Sequence, residues 1–269
     1  MKKLLAWTLL LGLAWAQNLS PWKLVWADEF NKPAGQAVDS GRWNFELGGG
    51  GFGNAEMQFY TNSTKNAAHD GKGHLVITAL NEQLPSNYYC VYSDCQFSSA
   101  RLNTKGKFAW QYGRFEARMQ LPFGQGIWPA LWLLGANIDQ VPWPDCGEID
   151  IMENIGREPN MVHATVHGPG YSGANGIGKA YTLSRGKFAD AFHVFALEWE
   201  PKALRWYVDG KLHHSLTPAQ LPSGKGWVFD HPFYLIVNVA VGGMWPGIPD
   251  KTTPFPQRMR VDYVRVYQR

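Results

Sequence analysis

Residues 113–121 read GRFEARMQL. Phe115, Ala117, Met119 and Leu121 fall on one parity, and Arg114, Glu116, Arg118 and Gln120 on the other. Successive side chains of a strand point to opposite faces, so this is the pattern of a sheet with one buried side. The period returns in HPFYLIVNVAV, where Phe233, Leu235, Val237, Val239 and Val241 alternate with residues that include Asn238 and Ala240. Asp209-Gly210, a strong hairpin signal, separates the strand-like runs in ALRWYVDGKLHH. No stretch holds a sustained helical period with caps, and 29 glycines and 17 prolines punctuate many short strands. With no internal repeat and no Pro/Ser linker, the expected fold is a single all-β sandwich.

The segment MKKLLAWTLLLGLAWAQ joins two lysines, an apolar run from Leu4 to Leu13 and an Ala14-Trp15-Ala16 ending. That is the layout of a secretory signal peptide cleaved after Ala16, with an apolar run too short to span a bilayer. Residues 17–269 then make one exported domain. Lys2 and Lys3 leave with the leader, so 25 basic residues fall nearly level with 22 acidic ones. A near-neutral chain gives no case for nucleic acid or an anionic membrane surface as partner, and a monomer is the default. Cys90 and Cys95 could close a short loop in an exported protein or stay reduced, which leaves Cys146 as a buried thiol. No further cysteine lies at zinc-ligand spacing.

The run CGEIDIMEN, Cys146 to Asn154, carries three acids among residues suited to a buried strand. Glu148 and Asp150 share a face, but Glu153 lies an odd five positions beyond Glu148. One extra residue, Met152 or a neighbour, in a β-bulge would restore the parity and line up all three carboxyls on one surface. Without it Glu153 would enter the core, where an unpaired acid is costly. Two glutamates flanking an aspartate suit glycoside cleavage, in which one carboxylate attacks and another acts as acid and then base. Crowded like charges raise at least one pKa, which keeps the acid protonated. A calcium site is the competing reading, although calcium loops favour Asp, Asn and Gly over Ile and Met.

EIDIMEN resembles the active-site signature of glycoside hydrolase family 16, in the bulged form of its laminarinases. Further blocks carry the likeness along the chain: WADEFN (26–31), NAEMQFYT (54–61), GIWPALWLLG (126–135), HATVHGPGYSG (163–173), FHVFALEWE (192–200), VNVAVGGMWPG (237–247) and VDYVRVYQ (261–268). The resemblance implies a curved β-jelly roll of two antiparallel sheets, with β-glucan lying across the concave face. It also implies retention of anomeric configuration. It makes Glu148 the nucleophile, Glu153 the acid/base and Asp150 the assisting aspartate. Among the 13 tryptophans, Trp128, Trp132 and Trp245 fall in blocks that line the family's cleft. His167, Asn54, Glu56, Arg101 and Asn238 also match cleft positions. Trp26, Trp43, Trp199 and Trp206 are expected in the core, Trp143 in either place, and His213-His214 at the surface. GGGGFGN (48–54) lacks the Lys-Ser/Thr of a phosphate loop and reads as a wall at one end of the cleft. The family often binds a structural calcium away from the chemistry, at positions matching Glu29, the Gly73 carbonyl and Asp262. These features imply a secreted endo-β-1,3-glucanase. The alternatives are a non-catalytic β-glucan-binding protein and a family member acting on mixed-linkage glucan or a galactan.

Overall fold

The computed structural model describes residues 21–269; the expected signal peptide lies outside them. Alternation becomes two stacked sheets. One runs Ile177–Thr182, Met161–His167, Glu148–Glu153, Ile127–Gly135, Phe233–Val241, Arg101–Asn103, Asn44–Phe45, antiparallel throughout. The other runs Lys211–Leu216, Ala203–Val208, His193–Glu200, Gly113–Gln120, Gln257–Gln268, Leu75–Asn81, Phe97–Ser99, Phe59–Tyr60. Lys23–Asp28 pairs with Gln257–Gln268 and Ala67–His69 with Leu75–Asn81, while Phe59–Tyr60 joins its neighbour in parallel. This is the β-jelly-roll sandwich that the sequence implies.

The core lies between the sheets. Phe115, Ala117 and Met119 enter it from one side; Leu133, Ile149, Val166, Val237 and Val239 enter from the other. Each large apolar side chain fully buried this way contributes about 1.5–3 kcal/mol. Trp26, Trp43, Trp199 and Trp206 are all buried, as expected. The outward face of Gly113–Gln120 carries ion pairs: Arg114 binds Glu116 at 2.7 Å and Glu198 at 3.0 Å. Asp209 and Gly210 both take positive φ, at 49° and 75°, which fits the tight hairpin between Ala203–Val208 and Lys211–Leu216.

Two expectations need correction. Phe233–Val241 is buried on both faces, because Tyr234 and Ile236 enter a second small cluster with Leu134 and Cys146. His213 and His214 are half-buried rather than free at the surface; His214 stacks on Trp206 with ring centres 4.9 Å apart, and burial lowers both histidine pKa values. Cys90 and Cys95 form a disulfide, and Cys146 is a buried thiol.

Candidate active site

The out-of-step glutamate is resolved by one extra residue. Against Met161–His167, Asp150 pairs with Thr165 and Glu153 with His163, so three steps on one strand match two on the other. Against Ile127–Gly135, Asp150 pairs with Trp132 and Met152 with Leu131, which leaves Ile151 unpaired. Ile151 and Met152 both turn into the core, and Glu148, Asp150 and Glu153 share the opposite face. The bulge also interrupts the ladder beside Asp150. Trp206, from the other sheet, reaches across the core and donates its indole N–H to the Asp150 carbonyl at 2.8 Å.

Each glutamate is held by an indole. Trp143 Nε1 donates to Glu148 Oε2 at 2.6 Å, and Trp128 Nε1 donates to Glu153 Oε1 at 3.1 Å. Asp150 sits between them, almost fully buried and close enough to Glu148 for the two carboxyls to share a proton once one of them is protonated. His167 Nε2 lies 3.2 Å from Asp150 Oδ2, within ion-pair reach but without hydrogen-bond alignment. Just before the neighbouring strand Ile177–Thr182, glycine at 176 leaves the imidazole room, because a Cβ there would meet the His167 ring at 2.5 Å.

Burial dominates the electrostatics. Loss of solvent, then the Asp150 charge, pushes Glu148 up to about 8. Desolvation likewise raises Asp150, and it raises Glu153 well above the usual carboxylate range, with repulsion from Asp150 and Glu148 adding to it. Three such carboxyls do not all ionise near neutrality. One can attack as an anion while another keeps a proton to give.

Aromatic surfaces flank the row. Trp128 meets Trp245 edge to face at 5.4 Å, and His163 packs on Trp245 at 5.0 Å. Trp132 donates to Asn238 Oδ1 at 2.9 Å, Asn238 to Tyr60 OH at 3.1 Å, and Tyr60 to Glu56 Oε2 at 3.1 Å. Asn54 Nδ2 closes on Glu56 Oε1 at 3.4 Å. Arg101 pairs with Glu46 at 2.7 Å, and its guanidinium lies between the rings of Phe52 and Trp132, at 4.9 and 4.8 Å. The expected cleft residues therefore assemble beside the acids. Glu56 and Asn238, however, are buried links of a hydrogen-bond chain that fixes Trp132 rather than open contacts. Sequence reasoning missed Tyr60 and left Trp143 undecided; the closeness of Trp143 to the acidic run was the available signal.

At the expected calcium corner both carboxylates already have partners. Arg265 takes both oxygens of Glu29, at 2.8 and 2.9 Å, and Arg118 takes Asp262 Oδ2 at 2.6 Å. Asp262 is itself the unpaired residue of a bulge between Val261 and Tyr263.

A row of three crowded carboxyls, its two glutamates held by indoles, on one face of a jelly roll is the site of a glycoside hydrolase. The sequence model of glycosyl hydrolases family 16 matches residues 54–265. A beta-glucanase of Rhodothermus marinus is 40% identical over 96% of this chain and 90% of its own length. Glucan endo-1,3-beta-glucosidase A1 of Niallia circulans is 41% identical over 91% of this chain, which spans 38% of that longer protein. The catalytic domain of an endo-1,3-beta-glucanase (laminarinase) from Thermotoga petrophila RKU-1 superposes with a TM-score of 0.85 at 49% identity, covering 93% of this chain and 99% of that one. The chain belongs to glycosyl hydrolase family 16.

Proposed function

We propose that the protein is a secreted endo-β-1,3-glucanase that hydrolyses internal bonds with retention of configuration. The observation that carries this reading is the bulge, which turns Glu148, Asp150 and Glu153 to one face with each glutamate fixed by an indole. The relatives named as endo-1,3-beta-glucanases support the choice of polymer.

In the first step the Glu148 carboxylate attacks the anomeric carbon, and Glu153 gives its proton to the departing glycosidic oxygen. The C–O bond breaks and a glycosyl ester forms on Glu148. Glu153, now an anion, takes a proton from water; the water oxygen attacks the same carbon, and Glu148 leaves as carboxylate. Two inversions give net retention. Asp150, beside Glu148, can hold the pair's proton while Glu148 attacks as an anion and can return it when Glu148 leaves as carboxylate. The Trp143 N–H holds Glu148 in one rotamer.

The direct test is a panel of laminarin, barley β-glucan, agarose and xyloglucan, followed by reducing-end release. Laminarin is expected to be cut fastest, with internal cleavage visible as early loss of viscosity. Proton NMR is expected to show the β-anomer first. An initial α signal would sink the mechanism, faster cleavage of another polymer would sink the substrate assignment, and binding without turnover would make the chain a glucan-binding protein.

Export rests on the leader-like segment, and no described helix is long and apolar enough to cross a membrane. Action as a monomer belongs to the same reading. Calcium at Glu29, Gly73 and Asp262 is part of the same proposal. Metal analysis is expected to find one calcium ion per chain. Chelation is expected to lower Tm by about 5–10 °C, the effect of losing a ligand present at ~100 times its Kd from a domain of this size. Unchanged Tm and metal content would remove the ion from the account.

A further inference from the structure

We propose that Tyr89 and Tyr92, one just before and one within the disulfide-closed loop from Cys90 to Cys95, form an additional glycan-stacking site that extends the cleft beyond Asn54. It rests on the reading of the protein as a polysaccharide hydrolase. The two rings are anomalous for a short surface loop: Tyr89 is 75% exposed and Tyr92 52%, with Val91 between them at 49%. Exposed large apolar groups clustered in this way mark a surface that another molecule covers.

The loop is built into the cleft wall rather than left free. Val91 N–H donates to the Gly49 carbonyl at 2.9 Å, and Ser93 Oγ donates to the Met57 carbonyl at 2.7 Å. Tyr92 lies so close over Gly51 that a Cβ there would meet its ring at 2.3 Å, and Gly51 also needs a φ of 77°. Glycine at 51 therefore lets the tyrosine ring rest on backbone. The Gly51 carbonyl in turn accepts from the N–H groups of Asn54 and Glu56, at 2.9 and 3.2 Å. Next along the chain, Phe52 packs on Tyr60 with ring centres 4.9 Å apart and covers the Arg101 guanidinium, whose other face meets Trp132. A chain of contacts thus leads from Tyr92 through the buried Gly51, Phe52 and the buried Arg101 to Trp132, the direct ladder partner of Asp150.

The occupant that fits is the distal part of the same glycan chain. Pyranose rings offer apolar C–H faces to an aromatic ring, and the phenol hydroxyls can bond the hydroxyls at the sugar's edge. The disulfide and the Val91 and Ser93 hydrogen bonds hold the loop in place beforehand, so little backbone ordering is needed on binding. A polymer long enough to reach the loop gains from it. A short oligosaccharide held at the acids does not.

The test compares the Tyr89→Ala/Tyr92→Ala variant with wild type on whichever polymer of the panel wild type cuts fastest and on the tetrasaccharide of the same linkage. KM for the polymer is expected to rise about 3- to 10-fold, the effect of losing one or two stacking contacts, with kcat and the tetrasaccharide constants unchanged. Tyr89→Phe/Tyr92→Phe, which keeps the rings, is expected to restore most of the polymer KM. An unchanged polymer KM, or an equal loss on polymer and tetrasaccharide, overturns the proposal. The panel alone judges the β-1,3-glucan assignment, so the two failures are distinct. Both variants should melt with wild type, since the replaced side chains are exposed.

Discussion

Glu148→Gln is expected to abolish turnover of both a β-1,3-glucan and an aryl glycoside, whereas Glu153→Gln should separate the two. Loss of the nucleophile removes the covalent route whatever the leaving group, a fall on the order of 10⁴-fold or more in kcat. Loss of the acid costs about 10²–10⁴-fold on the polysaccharide, because an alkoxide leaving group needs the proton. A phenol with a low pKa departs without it, so on an activated aryl glycoside the first step should survive in Glu153→Gln. The glycosyl ester would then accumulate, since no base remains to activate water, and intact-protein mass spectrometry should show the added sugar. Glutamine keeps an oxygen able to accept the indole N–H from Trp143 or Trp128, so the geometry of the row is preserved. Equal losses for both variants on both substrates would mean that the roles are wrongly divided.

The same substitutions should stabilise the fold. A carboxyl whose pKa is higher in the folded protein than in the unfolded chain binds its proton more tightly when folded. It costs nothing below the unfolded value, and it opposes folding more and more as pH rises towards the folded value. For Glu148 that window runs from about 4.5 to about 8. Glu148→Gln is therefore expected to melt with wild type near pH 4 and above it by pH 8. The rise should be about 2–4 °C for each kcal/mol relieved in a domain of this size. Glu153→Gln should behave in the same sense, because burial and two neighbouring acids raise its pKa as well. Calorimetry at pH 4, 6 and 8 decides. A gap that does not widen with pH would show that the row carries no electrostatic strain. The trade of stability for a poised acid is a common cost of active sites.

The parts of the fold set by local period were legible in the sequence. The alternation of Gly113–Gln120, the Asp209-Gly210 hairpin and the parity argument at Glu153 all rest on neighbours along the chain, and the structure reproduces each. What escaped depends on contacts between distant segments. Nothing near Trp206 points to Asp150, 56 residues away and on the other sheet. The chain from Trp132 through Asn238 and Tyr60 to Glu56 spans three segments that only folding brings together. Glu56 and Asn238 were recognisable as positions near sugar, but not as buried supports for an indole. At the calcium corner, nothing local links Arg265 to Glu29 or Arg118 to Asp262, 236 and 144 residues apart, yet these arginines hold the two carboxylates expected to meet an ion.

The bulge at Ile151 and Met152 makes the segment between the two glutamates one residue longer than a regular strand would need to present the same row. Both residues only fill core volume, so exchange for other apolar side chains of similar size should cost little more than repacking. Removing either one takes away no functional group and brings the last glutamate to an even offset from Glu148, where a strand without the bulge would turn all three acids to one face. The chemistry is therefore compatible with two strand lengths, provided that the bulge and its extra residue come and go together.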